Sequence, residues 1–258
     1  IVLILNDFYM RIIHMSDLHL TQDGSTIWGE DTREKFIIAI DMIKKMQDID
    51  AILVSGDISN DGSFSSYIFA DRLFSSTNIP TYWSLGNHDN LDLLKNNNLL
   101  SYCKLVCEAT IYGWQIIILN SIAHDEEQPG KNRSRGVIDI DTMIKIKNKI
   151  YTLKKPTIVV LHHPALEIGG WQDLKILKNR DKFREIIEYS EYVRIVLAGH
   201  IHEFTDRTLN GIRYSTAPGL GFAFSSKLSN YEIQHGAEGF NLITINKNKI
   251  LINKIALK

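Results

Sequence analysis

Cysteine is scarce: 258 residues hold only Cys103 and Cys107. One possible pairing cannot staple a chain of this size. A disulfide-built secreted scaffold is therefore excluded, and both residues are expected to be reduced core thiols. An excess of charge of one sign is also lacking, with 29 Lys and Arg against 30 Asp and Glu and a formal net charge of −1 when the nine histidines are neutral. That balance leaves no electrostatic footprint for nucleic acid or an anionic membrane surface. No apolar run approaches the roughly 18 residues that a membrane-spanning helix needs. The opening apolar run, residues 1–5, is too short for a secretory signal and has no basic segment before it. A cytoplasmic protein without a membrane partner is expected, with Met10 as an alternative start that would leave residues 1–9 an upstream or added extension. Internal repeats, linkers and low-complexity segments are missing as well, so residues 1–258 read as a single domain.

What is present is an ordinary globular composition, 44% hydrophobic and 23% charged, which excludes wholesale disorder. Short apolar runs recur at 11–15, 51–54, 81–85, 116–119, 157–161 and 194–198. Nearly continuous and β-branched, they suit strands covered on both faces. Helical spacing appears between several of them, at 33–47, 64–75, 142–151 and 174–189, and Asp31 with Glu34 provides a capping-box-like start for the first. Residues 241–245 and 250–255, separated by a polar turn, read as a hairpin. This alternation with a β-rich end predicts a layered α/β (α+β) domain.

The polar residues fall at strand ends. The first run leads into Ser16-Asp17-Leu18-His19, the second into Ser55-Gly56-Asp57, and the third into Gly86-Asn87-His88-Asp89. The last two lead into His162-His163-Pro164 and Gly199-His200-Ile201-His202. Five strands thus release Asp, Asn or His at their carboxyl ends, where open α/β sheets form a binding crevice. Residues two apart share a face of a strand, so Asp17 with His19, and His200 with His202, are expected to converge pairwise. A lone Asp-x-His or Gly-Asp is a weak signal, since Gly-Asp is common in plain turns. All five blocks together are not, because such groups would otherwise be buried without partners. Imidazole with carboxylate suits Zn, Fe, Mn or Ni, and the absence of cysteine here disfavours a closed structural zinc site. Two carboxylates, one amide and four imidazoles exceed the needs of one ion but suit two ions sharing a carboxylate. Paired metals about 3.5–4 Å apart favour in-line attack at phosphorus.

These five blocks, in this order, resemble the calcineurin-like metallophosphoesterase superfamily over residues 11–217. The resemblance implies a four-layer fold, a two-sheet β-sandwich flanked by helices. It implies two divalent transition-metal ions (Mn, Fe or Zn), one on Asp17, His19 and His202, the other on Asn87, His162 and His200, with Asp57 bridging. His88 and Asp89 would be the catalytic residues: His88 orients the phosphate and protonates the leaving oxygen, and Asp89 holds the His88 ring by a hydrogen bond. No Arg follows Gly56-Asp57, and Asp89 stands where phosphoprotein phosphatases carry Glu. The Asn60-Asp61-Gly62 tail and the His162 and His200 blocks look most like class III cyclic-nucleotide phosphodiesterases. The implied function is metal-dependent hydrolysis of a small soluble phosphodiester, a cyclic AMP-like nucleotide favoured, through attack by a metal-bridging hydroxide. A metallophosphatase or glycerophosphodiesterase of the same superfamily, a nuclease and a non-catalytic metal-binding module are the alternatives, and a homo-oligomer is compatible with the chain. Gly219-Leu220-Gly221-Phe222-Ala223-Phe224 departs from the family pattern and bears on the leaving-group preference.

The remaining candidates read more plainly. His14 is expected in the core, His163 pointing away from the metals by strand alternation, and His124, Arg133 and Arg135 in a solvated loop. Trp171 is expected to pack, with stacking on a base as the alternative. Tyr231 and His235 have the weakest claims on the site.

Overall fold

The computed structural model describes residues 9–96, 99–124, 134–247 and 249–257. In chain order the first half comprises β1 (Tyr9–Met15), α1 (Thr32–Lys44), β2 (Ala51–Ser55), α2 (Phe64–Ser75), β3 (Thr81–Ser84), α3 (Leu91–Asn96), β4 (Glu108–Ile111) and β5 (Trp114–Ile118). The second half comprises α4 (Ile140–Leu153), β6 (Thr157–Val160), α5 (Arg180–Glu188), β7 (Val193–Ala198), β8 (Thr205–Leu209), β9 (Ile212–Thr216), β10 (Gly239–Asn246) and β11 (Lys249–Ala256).

Two mixed sheets result, ordered β11-β10-β1-β2-β3 and β4-β5-β6-β7-β9-β8. The apolar runs are continuous because each central strand feeds two layers. Ile13 and Met15 of β1, with Ile52 and Val54 of β2, pack on Phe36, Ile40 and Ile43 of α1 and Tyr67 and Phe74 of α2. Ile12 and Leu53 point the other way and meet Ile158, Val160, Ile195 and Leu197 of the second sheet. On that sheet's outer face, Val159 and Val196 cover Met143, Ile146 and Ile150 of α4 and Phe183 and Ile187 of α5. The expected helix–sheet–sheet–helix sandwich is the observed one, and the C-terminal hairpin closes the edge of the first sheet. No helix among the described residues is long and apolar enough to cross a membrane.

The expected helices shift at their ends. Asp31 caps α1 by accepting from Glu34 N at 2.9 Å, and Asp139 caps α4 by accepting from Thr142 N at 2.8 Å, which starts that helix earlier than spacing alone suggests. Only Arg180–Glu188 of the 174–189 pattern is α-helical; a separate 3-10 turn, Trp171–Leu174, lies before it. The strands β4, β8 and β9 have no counterpart in the expected set. The exposed β8 (Thr-Asp-Arg-Thr-Leu) carries no apolar run, although Asn210-Gly211, both at positive φ, marks its hairpin turn. Cys103 is a free core thiol, but Cys107 is exposed, because β4 lies at a sheet edge. His14 is buried, sits 2.9 Å from Ser55 Oγ, and is pushed down to about 3 by burial, as suits a neutral core imidazole.

Asp71 on α2 ties down the chain that follows α3. Its carboxylate accepts from Cys103 N at 2.7 Å, Ser101 Oγ at 2.7 Å, Ser101 N at 2.9 Å and Tyr102 N at 3.2 Å. Burial works to raise its pKa, but these donors outweigh it and hold the carboxyl below its ordinary range. The stability it contributes is therefore present above the ordinary carboxylate pKa and lost as pH falls through the lowered folded value. Asp71→Asn should cost about 2 kcal/mol at pH 7. Urea unfolding should show the gap to the parent chain narrowing in strong acid; a gap independent of pH would contradict this account.

Candidate metal centre

The clustered side chains do not sit on strands. β1 ends at Met15 and β7 at Ala198, and the residues beyond take left-handed backbone: φ is 57° at Asp17, 48° at His19, 52° at Asp57, 70° at His200 and 53° at His202. Asp17 and His19 converge through this geometry rather than through the expected strand alternation, whereas His200 and His202 part, His200 toward His162 and His202 toward His19. Left-handed backbone costs a non-glycine residue about 1–2 kcal/mol. Backbone ties between loops hold it: Asp17 N donates to Gly56 O and His19 N to Asp57 O, both at 3.0 Å. Gly86 is required by close approach, since a Cβ there would run into Asp57 Oδ1.

Asp57 lies at the centre, 1% exposed. Its Oδ2 is 3.6 Å from His19 Nε2 and 3.3 Å from His162 Nε2, while Oδ1 accepts from His88 N at 2.9 Å. On one side His202 Nε2 stands 3.4 Å from Asp17 Oδ1 and 3.2 Å from His19 Nε2. On the other, His162 Nε2 stands 3.2 Å from Asn87 Oδ1 and 3.1 Å from His200 Nδ1. The seven residues expected as ligands thus meet at one place, in two sets flanking Asp57.

The outward nitrogens decide what the inward ones offer. His162 Nδ1 meets the Ser55 carbonyl and His202 Nδ1 the Phe222 carbonyl, both at 2.8 Å, and His19 Nδ1 meets Asn60 Oδ1 at 3.0 Å. A carbonyl only accepts, so each Nδ1 carries a proton. When both rings are neutral, this turns the Nε2 lone pairs of His19 and His202 toward each other at 3.2 Å, a repulsion that a shared cation relieves. Metal-ligating histidines commonly give their other ring N–H to a carbonyl in this way, and the donor set fits transition-metal ions. The protein alone compensates with protons. Burial pulls the His162 pKa down, yet the adjacent Asp57 outweighs it and pushes the ring up to about 9. Burial works to raise Asp57, but His162 and His88 outweigh it and hold the carboxyl well below its usual range. Burial keeps His19 and His200 well below the usual imidazole value.

His88 is exposed, edge-on to the His19 ring at 4.8 Å, with Nδ1 3.1 Å from the Asn60 carbonyl. Asp89 does not hold that ring as expected. Its buried carboxylate accepts from Gly86 N at 2.9 Å, Ser59 N at 3.0 Å, Tyr67 Oη at 3.2 Å and Ile58 N at 3.3 Å, locking the loops after β2 and β3 together. Asn60, unremarked as an orienting group, takes over the expected role of Asp89. His163 does not point clear of the cluster: β6 ends at Val160, so alternation no longer applies, and its ring lies 4.4 Å from that of His200.

The cluster floors a cavity of about 530 Å³, walled by Trp28, Phe222, Phe224, Tyr231 and Trp171 and edged by Lys175 and Gln172. Tyr231 therefore belongs to the site despite its weak sequence claim, and Trp28 had no signal beyond preceding Gly29. His124 is exposed beside a neighbouring cavity lined also by Asn60 and His88. His235 instead pairs with Glu30 at 2.9 Å. Arg135 is half-buried, and Arg133 lies outside the described residues.

Two sheets delivering paired carboxylates and imidazoles to one crevice define a class. Residues 10–204 match the family model of the calcineurin-like phosphoesterases, and the chain belongs to that family. Among its relatives, the 3′,5′-cyclic-nucleotide phosphodiesterase of Nostoc sp. is 28% identical over 92% of this chain and 88% of its own. The 3′,5′-cyclic adenosine monophosphate phosphodiesterase CpdA of Pseudomonas aeruginosa is 26% identical over 93% and 86%. A dimetal phosphatase from Danio rerio shares the fold, with a TM-score of 0.71, 10% identity and coverage of 96% of this chain and 98% of the other. The chain is a hydrolase of this metal-dependent phosphoesterase family.

A ligating imidazole must be neutral, so a metal held by His162 would displace that ring's second proton. With that pKa near 9, affinity for Mn²⁺ should rise with pH across the neutral range and level off above about 9. Calorimetry in buffers of different ionisation enthalpy should register close to one proton released per protein at pH 7.5. Uptake without proton release would place the metal elsewhere.

Proposed function

We propose that the protein is a dinuclear-metal phosphodiesterase that opens a 3′,5′-cyclic nucleotide to its monoester. The supporting observation is the arrangement of Asp17, His19 and His202 on one side of Asp57, and of Asn87, His162 and His200 on the other, beneath an open cavity. The first set would hold one divalent ion, the second set the other, and Asp57 would serve both. Ions such as Mn, Fe or Zn, when bound, supply positive charge for phosphoryl oxygens and activation of water. The similarity to cyclic-nucleotide phosphodiesterases favours that substrate over a monoester or a glycerophosphodiester.

The protein's own groups do the positioning. The carbonyls of Ser55 and Phe222 fix the His162 and His202 rings. Asn60 orients two rings at once, His19 through its side chain and His88 through its carbonyl. With Nδ1 of His88 committed to that carbonyl, Nε2 is the atom that can hold a proton for the departing oxygen. Asp89 keeps the loop carrying His88 in register without touching the ring.

On Mn-reconstituted protein, a panel of 3′,5′- and 2′,3′-cyclic nucleotides, glycerophosphodiesters and monoesters should give the highest kcat/KM with a 3′,5′-cyclic nucleotide. A monoester or glycerophosphodiester at the top would overturn the assignment. His88→Ala should lower kcat on cyclic nucleotides, whose leaving group is an alkoxide, by about 10²–10⁴-fold. The loss on bis-p-nitrophenyl phosphate, whose leaving group needs little protonation, should be much smaller. Equal losses would leave His88 a phosphate-positioning group only.

A further inference from the structure

We propose that Trp28, Phe224, Tyr231 and Trp171 form a base-stacking subsite, so that the enzyme recognises its substrate by a planar nucleobase as well as by phosphate. The inference rests on the phosphodiesterase reading above and specifies which part of the substrate this wall contacts.

Three remote segments build the wall. Phe222 begins it at the metal cluster, stacked on His202 at 4.5 Å and 21° and 4.9 Å from the His19 ring. From Phe222 the ring contacts run outward to Trp28 at 5.0 Å, which also meets Phe224 at 5.3 Å and Tyr231 at 5.9 Å. Trp171 closes the far end, 4.8 Å from Tyr231 and 5.4 Å from Phe224. The wall is thus continuous with the place where phosphate would lie, and the cavity between them, about 530 Å³, falls within the range of small-molecule sites.

Core packing accounts for Phe222 and Phe224, which are buried, but not for Trp28 and Tyr231. Trp28 is 55% and Tyr231 47% exposed, although burying such rings is favourable. Both also sit at positive φ, 51° and 61°. Trp28 and Gly29 are the central pair of a tight turn in which Ile27 and Glu30 exchange backbone hydrogen bonds at 2.9 and 3.0 Å. Both central residues have positive φ there, a setting that favours Asn, Asp or Gly. The tryptophan held there lines the cavity and keeps more than half of its surface open. A glycerol leaving group gains little from such a surface, whereas any nucleobase has a π-face to stack on it.

Binding and turnover together test this with the whole Mn-loaded chain. The wild-type protein should bind AMP about 10–100-fold more tightly than ribose 5-phosphate, by calorimetry. It should likewise prefer 3′,5′-cyclic AMP to methyl riboside 3′,5′-cyclic phosphate in kcat/KM. Trp28→Ala and Tyr231→Ala should each reduce both ratios several-fold, chiefly through Kd and KM, and Trp28→Phe should retain most of them. Equal affinity for AMP and ribose 5-phosphate, or ratios untouched by both alanine variants, would overturn the subsite. Base-dependent binding that Trp28→Ala weakens, without hydrolysis of any cyclic nucleotide, would uphold the subsite and defeat the phosphodiesterase reading instead.

Discussion

The site depends on one buried carboxylate. Asp57 is removed from water at the point where the loops of both sheets meet, and an isolated ionised carboxylate there would be prohibitively costly. Its surroundings offset that cost from several directions: the His88 amide on one oxygen, the His19 and His162 rings near the other, and a glycine at position 86 where any side chain would collide with it. Every element of the site either approaches this carboxylate or orients something that does. The second loop-locking carboxylate, Asp89, is pushed up to about 6, first by burial and then by the charge of Asp57. Its four donors keep it in place nonetheless.

The sandwich explains how both clusters of donor side chains come together. Asp17, His19, Asp57 and Asn87 follow strands of the first sheet, and His162, His200 and His202 follow strands of the second. Neither sheet supplies enough donors alone. The apolar layer between them, from Ile12 and Leu53 to Val160 and Leu197, therefore sets the distance across which the ligands face each other. Because protein interiors are close-packed, that spacing is stiff, which suits a site that must hold donor atoms close together without collapse.

Left-handed backbone recurs where chemistry is expected. Five of the clustered residues adopt left-handed conformations, and Trp28 and Tyr231 on the aromatic wall do so too. Such conformations persist only where the surroundings over-determine them. Here the determinants are visible as inter-loop backbone hydrogen bonds and close glycine approaches. The remaining six such residues among those described, Asp48, Asn78, Tyr112, Lys154, Asn210 and Lys247, lie apart from the site, so the seven at the site are its share of a feature found elsewhere in the molecule too.

Much of this was legible in the residues alone. Apolar runs with β-branched residues marked the central strands, and five polar blocks following them named all seven clustered donors and His88. Local signals reached that far because buried strands and chemically idle polar pairs are costly to place elsewhere. They failed for β8, whose exposed residues follow no apolar pattern, and for Asp89 and His163, whose orientations depend on loops beyond the strand ends. They reached the wall only in part: Phe222, Phe224 and Trp171 stood out in the sequence, whereas Trp28 and Tyr231, remote from them, share no pattern with them. Sequence by itself determined the layers and the donor inventory, both properties of local periodicity and residue chemistry. Tertiary structure alone decided which nitrogen each ring turns inward, what Asp89 holds, and which aromatic rings face the metal centre, because those depend on contacts between segments that only folding brings together.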